Sequence, residues 1–405
     1  MRVLFIAPAY PAEMPEFVRG LAEVGATVIG VGDSPVQAVP QSVRRYLSDY
    51  LQVPKMFDED DLVRRVVEWA RPRNIDRVEA LWEPLVIAAA RIREVLNMPG
   101  MSADTVRGFR DKQLMKERIR AAGLRVPHSA RVRTAADAWA AAERIGFPLI
   151  LKPIAGAGSA DTHRCNTPAE LEAALRTMRH VTEASCEEFV DGEEFTYDTI
   201  CVGGRPVYEN VAQYLPRPLI ARTNEWISPV IITVRNLDQP AIRPGLALGR
   251  GVLDALGMGT GFTHMEWYRK SNGEVVFGEI GCRPGGARLV DQMNFTSDVD
   301  LFAEWARAVC WGHVAPLPER AYNTAIIFKR AQGRGQIRHI TGLKAYLKRH
   351  GSAVMVDALL RPGQTRRDWT QTLVSDGYLI VRHPSWDGAK QMADEAARHI
   401  ALFAG

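Results

Sequence analysis

The sequence contains few cysteines, and their number and spacing argue against disulfide bonds and against a zinc site. Its 405 residues include five cysteines, an odd number. No two of them form a C-x-x-C pair, so we expect neither a disulfide framework nor a zinc site. This usage predicts a protein of the reducing cytoplasm. The cysteines are Cys165, Cys186, Cys201, Cys282 and Cys310.

Long apolar runs are also absent. No stretch approaches about 18 uninterrupted apolar residues, so we predict no transmembrane helix and no membrane partner. The run from Val3 to Ala7 is too short for the hydrophobic region of a signal peptide and predicts a buried strand instead.

The chain lacks a strong charge of either sign. It has 51 Lys and Arg against 47 Asp and Glu, a formal net charge of +4. No run of five or six basic residues occurs, which disfavours a nucleic-acid partner. The mild positive balance suits small anionic substrates such as phosphates.

Two glycine-rich nucleotide motifs are missing. The first predicted strand leads into Ala7-Pro8-Ala9-Tyr10-Pro11 rather than G-x-G-x-x-G, which disfavours dinucleotide binding. The glycine-rich segment at 156–162 does not match the G-x-x-x-x-G-K-[ST] phosphate loop either.

Alternating strand and helix patterns are what the sequence has instead. Apolar strand runs such as Ala26 to Val31 and Val78 to Trp82 alternate with segments of helical spacing. This alternation predicts an α/β fold whose residues 1–100 form a Rossmann-like domain with a parallel sheet. The pattern breaks at Met98-Pro99-Gly100, the first predicted boundary. We predict a second domain at 101–310, with a small α/β piece at about 125–185, and a C-terminal α+β segment at 311–405.

Lys152 is the first candidate for phosphate binding. It follows the apolar run Leu149-Ile150-Leu151, and a segment with Gly156, Gly158 and Ser159 comes next. Small residues let backbone N–H groups approach phosphate oxygens closely, and a lysine adds a point charge. An ordinary turn is the alternative for this segment alone. The acidic stretch CEEFVDGEEFT, from Cys186, by itself favours a solvated turn between two strands.

Glu266 and Glu279 form the third signal. Both lie in strand-like runs, and the turn between them contains Asn272-Gly273, the strongest short hairpin signal. A hairpin brings the two carboxylates together, which is unfavourable unless a cation lies between them. Oxygen ligands beside a polyphosphate suit Mg²⁺. An exposed cross-strand pair is the alternative.

Arg283 lies just beyond that hairpin, in the glycine-rich turn Ile280-Gly281-Cys282-Arg283-Pro284-Gly285-Gly286. An arginine there can bind a developing phosphoryl or carboxyl oxyanion. A solvated arginine in a structural turn is the alternative.

Taken in order, these segments resemble the ATP-grasp superfamily. The resemblance begins with FRDKQLMK from Phe109 and AGLRVP from Ala122, and it covers about residues 100–310. The flanking regions match more loosely. The resemblance implies two α+β subdomains that clasp ATP, with the piece at 125–185 as a lid and the C-terminal segment completing the fold. It also implies ATP and Mg²⁺ as cofactors.

The resemblance implies roles for the nucleotide side of the site. Lys112 and Lys152 would contact the phosphates of ATP from either side, with the 156–162 loop covering them. The stretch from Glu187 to Val190 would be the adenine hinge, with the backbone of Glu188 and Val190 reading the base. Glu194 would bind the ribose hydroxyls.

The resemblance also implies a metal and a catalytic group. Glu266 and Glu279 would hold magnesium, and Arg283 would steady the acyl phosphate or the transferring phosphoryl group. Arg283 and Lys152 are the two residues predicted to be catalytic. Two positions depart from the family pattern. Gly281 stands where an asparagine usually supplies a further metal ligand, and Asp161 adds an acid to the phosphate loop.

The implied function is ATP-dependent ligation of a carboxylate to an amine through an acyl phosphate, in the manner of amino-acid or dipeptide ligases. A bicarbonate-activating enzyme and a nucleotide-binding regulator without turnover remain alternatives. A homodimer is common in the resembled family. Residues predicted to bind the small-molecule substrates are Arg217, Arg222, Glu225, Asp291 and Asn294, with an ordinary loop as the alternative for the first three.

Overall fold

The computed structural model describes residues 1–154 and 162–405. Within these ranges no helix has both the length and the apolar character needed to cross a membrane.

The N-terminal part alternates strands and helices. They are β1 (Arg2–Ile6), α1 (Met14–Glu23), β2 (Thr27–Gly32), α2 (Gln41–Arg44), β3 (Leu47–Gln52), α3 (Glu59–Ala70), β4 (Arg77–Ala80) and α4 (Val86–Val95). The strands pair in parallel in the order β3-β2-β1-β4. Val3 to Ile6 are fully buried, because helices cover both faces of a parallel sheet. Glu83 follows β4 and lies at the carboxyl edge, where such sheets carry ligands.

Two short helices lead out of this sheet, α5 (Ala103–Gly108) and α6 (Lys112–Ala121). Asp111 caps α6, and its carboxylate accepts hydrogen bonds from the backbone N–H groups of Gln113 (2.9 Å) and Leu114 (3.1 Å). Such a cap satisfies N–H groups that the first helical turn leaves unpaired. The helix therefore starts at Lys112, and Lys116 follows one turn later on the same side.

A small antiparallel sheet comes next. Its elements are β5 (Ser129–Val132), α7 (Ala135–Ile145), β6 (Leu149–Pro153), β7 (His163–Cys165), α8 (Pro168–Thr177) and β8 (Ala184–Glu188). The strand order is β5-β8-β6-β7. In the β6–β8 register Ile150 lies opposite Glu187, so Lys152 is a diagonal neighbour of Glu187 on the same face.

A large antiparallel sheet and a minor three-stranded sheet make up most of the remaining chain. The elements are β9 (Glu193–Val202), β10 (Arg205–Leu215), α9 (Pro218–Thr223), β11 (Val230–Thr233), α10 (Arg243–Leu256), β12 (Gly261–Arg269), β13 (Val275–Gly281), α11 (Leu289–Ser297), α12 (Leu301–Trp311), β14 (Asn323–Phe328), β15 (Gln332–Gly333), β16 (Ile337–Thr341), α13 (Leu343–His350), β17 (Val354–Asp357), β18 (Tyr378–His383), α14 (Trp386–His399) and β19 (Ala401–Ala404).

The strands of the large sheet lie in the order β13-β12-β9-β10-β11-β14-β18-β17, and those of the minor sheet in the order β15-β19-β16. Strands from beyond residue 310 thus share a sheet with β9–β13, whereas the boundaries proposed near residues 100 and 310 stay predictions. Short 3₁₀ turns lie at Val36–Ala38, Arg71–Arg73, Glu83–Leu85 and Gly351–Ala353.

An aromatic contact fixes the N-terminal sheet against the large one. Phe17 of α1 meets Phe302 and Trp305 of α12 edge to face, with ring centroids 4.9 and 5.1 Å apart. A Cβ at Gly20 would lie 2.5 Å from the carbonyl oxygen of Phe302. The two helices can therefore approach this closely only because residue 20 lacks a side chain. The mixture of parallel and antiparallel sheets confirms the α/β class.

Candidate active site

A cavity of about 590 Å³ opens between the small sheet and the large sheet. The charged side chains that line it come from elements far apart in the sequence. Its acids among the described residues are Glu83, Glu187, Glu188, Glu194, Glu266 and Glu279. Its lysines and arginines there are Lys112, Lys152, Arg217, Arg222, Arg283 and Arg330. Gly156, Gly158, Ser159 and Asp161 lie outside the described residues.

Glu187 lies between two lysines beneath the cavity wall. Its carboxylate is 2.9 Å from Lys152 Nζ and in ion-pair contact with Lys116. The Lys116 contact is not aligned as a hydrogen bond. Burial alone would raise the pKa of Glu187, but the charges of Lys152 and Lys116 outweigh burial and hold that pKa well below its usual range. Glu187 thus orients Lys152 with its carboxylate, whereas the acidic stretch taken alone favoured a solvated turn.

The two candidate metal ligands face each other across the hairpin. Glu266 and Glu279 are directly opposite in the β12–β13 register. Glu279 Oε2 is 3.1 Å from Lys112 Nζ, and Glu266 Oε1 accepts a 3.1 Å hydrogen bond from the Tyr214 hydroxyl. Each carboxylate therefore has a second oxygen that these two contacts do not use.

The chemistry of these donors fits Mg²⁺. This ion takes one or two protein carboxylates and completes its octahedron with phosphate oxygens and water. Among the described residues no group of three or more His, Cys, Asp or Glu side chains could hold a metal ion by itself. Glu266 and Glu279 would be the protein ligands, and a bound polyphosphate would supply further oxygens.

Arg283 does not project into solvent. Its Nε donates to Glu83 Oε2 at 2.8 Å, its Nη2 lies 2.8 Å from the same oxygen, and its Nη1 donates to the carbonyl of Pro284 at 2.9 Å. Arg110 contacts the same Glu83 carboxylate. Burial would raise the pKa of Glu83, but the charges of Arg283 and Arg110 lower it.

Gly281 lies directly under the Arg283 side chain. A Cβ at position 281 would be 3.4 Å from Arg283 Cγ and 3.6 Å from its Nε. A methyl group fits at that distance, whereas a longer side chain would compete with the guanidinium for the same space. Position 281, where the resembled family usually has an asparagine, is thus a position at which the Arg283 side chain lies close to the backbone.

The predicted adenine hinge, Glu187 to Val190, begins in the last two residues of β8. The backbone N–H of Glu188 donates to the carbonyl of His128 at 2.8 Å, so the backbone group of Glu188 left to read a base is its carbonyl oxygen. Its side chain forms a two-pronged ion pair with Arg125 at 2.7 and 2.9 Å. Val190 lines the cavity two residues further on.

Glu194 is buried at the same end of the cavity. Its carboxylate accepts hydrogen bonds from Arg217 Nε at 3.1 Å and from the Tyr268 hydroxyl at 3.4 Å. Burial, and then the charge of Glu266, raise the pKa of Glu194 to about 7. Arg217, which the sequence offered as a substrate ligand, thus lies beside the candidate ribose carboxylate.

The other substrate candidates separate into two groups. Arg222 lines the cavity. Glu225 is exposed and pairs with Arg366. Asp291 lies 3.7 Å from Arg288, and Asn294 accepts a hydrogen bond from the Leu301 N–H at the start of α12. The structure places Glu225, Asp291 and Asn294 outside the cavity lining.

Sequence reasoning missed several residues that line or support the cavity. His264 is buried, with Nδ1 2.6 Å from Asp198 Oδ1 and Nε2 4.0 Å from Glu266 Oε1. Its spacing of two from Glu266 places both on one face of β12, a signal available in the sequence. Glu83 and Arg330 gave no local signal, because their partners lie far along the chain.

Comparisons with known proteins agree with this geometry. Residues 22–100 match the family model of the ATP-grasp N-terminal domain, and residues 111–193 match that of the carbamoyl-phosphate synthase L chain, ATP binding domain.

Two curated relatives come from Bacillus subtilis. The chain is 25% identical to an L-arginine-specific L-amino acid ligase over 56% of either chain. It is also 25% identical to an alanine–anticapsin ligase, over 64% of this chain and 59% of that protein. The chain thus aligns with less than two thirds of the length of these relatives.

The solved structures resemble this one along their whole length. An L-amino acid ligase from Bacillus licheniformis superposes with a TM-score of 0.79 at 19% identity, covering 100% of this chain and 98% of that one. An N5-carboxyaminoimidazole ribonucleotide synthetase from Thermotoga maritima gives 0.71 at 16% identity, covering 100% and 99%. At these identities the likeness shows the fold. The two family models, over residues 22–100 and 111–193, and this fold agree with the ATP-grasp superfamily that the order of motifs indicated.

Proposed function

We propose that this chain is an ATP-dependent ligase that activates a carboxylate as an acyl phosphate and couples it to an amine, releasing ADP and phosphate. The observation that carries the proposal is the opposed pair Glu266 and Glu279, with Lys112, Lys152 and Arg283 around the same cavity. This set combines two oxygen donors for Mg²⁺ with three cations for phosphate and carboxylate groups. The names of the two Bacillus relatives support amino acids as the substrate class.

The nucleotide would be held by residues from both sheets. Lys152, oriented by Glu187, and Lys112, at the start of α6, would contact the phosphates from two sides. The Glu188 carbonyl and the Val190 N–H would read adenine, and Glu194 would accept hydrogen bonds from the ribose. Gly156, Gly158 and Ser159 remain proposed phosphate ligands on the sequence alone.

The proposed reaction has two steps, and its first step brings together two anionic substrates. A carboxylate oxygen attacks the γ-phosphorus, the bond to ADP breaks, and the acyl phosphate forms. The amine then attacks the acyl carbon, phosphate leaves, and the nitrogen loses a proton. Bound Mg²⁺ supplies charge neutralisation for the transferring phosphoryl group. Lys112, Lys152 and Arg283 offset the remaining repulsion between the two anionic substrates.

The test is ADP release from the purified protein across pairs of the common amino acids, with product masses determined. We expect at least one pair to release ADP and to yield an equal amount of amide, with both partners required. Glu279→Gln should abolish the reaction. Glu274→Gln, in the turn of the same hairpin, is the matched control and should keep it.

Other outcomes would point to the competing classes. ADP release that depends on bicarbonate would indicate a carboxylating enzyme. ATP binding without stimulation by any substrate would indicate a regulator, and either result would contradict amide ligation.

A further inference from the structure

His264 lies in the row of the β12–β13 hairpin next to the candidate metal ligands. In the pairing of these strands Glu266 is opposite Glu279, and His264 is opposite Gly281. Because successive residues of a strand point to opposite faces, His264 and position 281 are on the same face as the two carboxylates. All four residues line the cavity. The imidazole is therefore one row further from the hairpin turn than the carboxylates, opposite a residue without a side chain.

A buried polar network fixes the orientation of the His264 ring. Its Nδ1 is 2.6 Å from Oδ1 of Asp198, a residue that is 1% exposed. Oδ2 of the same carboxylate accepts hydrogen bonds from the Thr196 hydroxyl at 2.8 Å and from the Asn210 amide at 3.3 Å. Gly285 packs against the ring, since a Cβ there would be 3.0 Å from Nδ1. These contacts hold one ring nitrogen inside the protein and set the direction of the other.

The other nitrogen of His264 is available to a ligand. The Asp198 carboxylate accepts the hydrogen of Nδ1, so in the neutral ring Nε2 carries the unshared electron pair. Nε2 is 4.0 Å from Glu266 Oε1, too far for a hydrogen bond, and it makes no other polar contact with residues 1–154 and 162–405. Two ligand atoms that each lie about 2.1 Å from one ion can be up to about 4.2 Å apart. A single ion can therefore contact both atoms.

This arrangement is typical of a histidine prepared to bind a metal ion. A carboxylate behind such a ring determines which nitrogen is free and directs it toward the metal. A buried histidine with a purely structural role would be expected to pair both nitrogens with protein groups. His264 instead pairs Nδ1 with Asp198 and presents Nε2 beside the carboxylate of Glu266. The three side chains do not close a site by themselves, so the ion would bind together with a polyphosphate.

We propose that His264 Nε2 is a third protein ligand of the divalent ion, beside Glu266 and Glu279, and that Asp198 positions it. This inference rests on the proposed ligase function, in which the ion binds with the phosphates of ATP. An imidazole nitrogen suits later first-row ions such as Ni²⁺, whereas Mg²⁺ prefers oxygen ligands. His264 therefore increases the preference of the site for Ni²⁺ over Mg²⁺, compared with a site made of oxygen ligands alone.

Pulsed electron paramagnetic resonance of Mn²⁺ bound with ADP tests this without turnover. In the full-length protein the electron spin of Mn²⁺ should couple to a ¹⁴N nucleus. When the histidines alone carry ¹⁵N, the coupling should change to that of ¹⁵N, whereas a coupling to adenine would stay as it was. His264→Phe should abolish the coupling. His313→Phe, at an exposed histidine after α12, is the matched control and should keep it.

Ion affinities provide the second measurement. The ratio of Ni²⁺ affinity to Mg²⁺ affinity, determined by calorimetry with ADP present, should fall at least about tenfold in His264→Phe and stay unchanged in His313→Phe. Asp198→Asn keeps the imidazole but no longer fixes it, so the Ni²⁺ affinity should fall about 10–100-fold. If His264→Phe is poorly folded, the ¹⁵N comparison in the unchanged protein and the Asp198→Asn titration still test the assignment.

The outcomes separate this inference from the ligase proposal. Mn²⁺ that binds with ADP but shows no histidine coupling would overturn the third ligand and leave the ligase proposal in place. A coupling that persists in His264→Phe, or an unchanged ratio of Ni²⁺ to Mg²⁺ affinity in that variant, would also overturn it. A histidine coupling that His264→Phe abolishes, in a protein that forms no amide from any pair of amino acids, would support the metal ligand and refute the ligase.

Discussion

Arg283 and Glu83, 200 residues apart in the sequence, are joined by two contacts of 2.8 Å in which Nε and Nη2 approach the same carboxylate oxygen. The contact joins the turn after the hairpin of β12 and β13 to the carboxyl edge of the N-terminal sheet. It holds the guanidinium at the cavity wall, where an oxyanion of the reaction could be met without reorganisation.

Arg283→Lys should lower kcat by roughly 10²-fold or more while ATP affinity stays within a few-fold. A lysine supplies a point charge but cannot hold Glu83 and a substrate oxygen at the same time. Calorimetry with ATP, beside kcat, checks this. A near-normal kcat would leave Arg283 a purely structural residue, and a collapse of ATP affinity would make it a nucleotide ligand.

Glu279→Gln should prevent a divalent cation from binding together with ADP, because an amide supplies a neutral and weaker oxygen ligand. Glu266→Gln should weaken binding severely. Paramagnetic Mn²⁺ titrated in the presence of ADP provides the measurement. Glu274→Gln removes a carboxylate from the same hairpin, where it pairs with Arg125 and Lys270, and it should bind the cation normally. Normal cation binding by Glu279→Gln would refute the metal assignment.

Glu194→Ala should weaken ATP binding through lost ribose hydrogen bonds, each worth about 0.5–1.5 kcal/mol and more for a charged acceptor. Binding of 2′,3′-dideoxy-ATP should suffer much less, because that nucleotide lacks the hydroxyls. Calorimetric titration of both nucleotides against both proteins gives the comparison. An equal loss for the two nucleotides would reject the ribose role.

Glu194 should also make the metal-free protein less stable as pH rises. Its pKa in the folded protein is about 7, above the usual glutamate value of 4.5, so between these two pH values the folded state binds more protons than the unfolded state. Stability then falls as pH rises from about 4.5 through 7, by up to about 1.4 kcal/mol for each unit of pKa difference. Urea unfolding between pH 5 and 8 in EDTA should show that the free energy of unfolding falls less steeply with pH in Glu194→Gln than in the unchanged protein. Equal pH dependence of the two proteins would contradict the raised pKa.

Removing the charge of Lys116 should destabilise the fold less than removing the charge of Glu187, which lies between Lys116 and Lys152. Lys116→Met fills a similar volume and leaves Glu187 paired with Lys152, so stability should change little. Glu187→Gln leaves two ammonium groups without their carboxylate and should destabilise the fold by about 3–5 kcal/mol. Chemical denaturation of both variants provides the check. If Lys116→Met were as unstable as Glu187→Gln, the ion pair of Glu187 with Lys152 would not be enough to stabilise the buried carboxylate.

Local patterns in the sequence were enough to predict the hairpin that carries Glu266 and Glu279 and the strand that carries Lys152. Each depends on a short-range rule, an Asn-Gly turn for the hairpin and an apolar run for the strand. The order of these motifs was also enough to identify the ATP-grasp superfamily.

The partners of these residues were decided by the tertiary structure. The acidic stretch around Glu187 favoured a solvated turn, yet burial against Lys116 and Lys152 makes that carboxylate an internal counter-ion. Glu225, Asp291 and Asn294 had suitable chemistry, but packing directs them to Arg366, Arg288 and the start of α12. The sequence by itself determined which groups could bind phosphate and metal, because their type and local geometry are short-range properties. Only the tertiary structure decided that Arg283 meets Glu83 and that Glu187 lies between Lys116 and Lys152, because those contacts join segments that are far apart in the sequence.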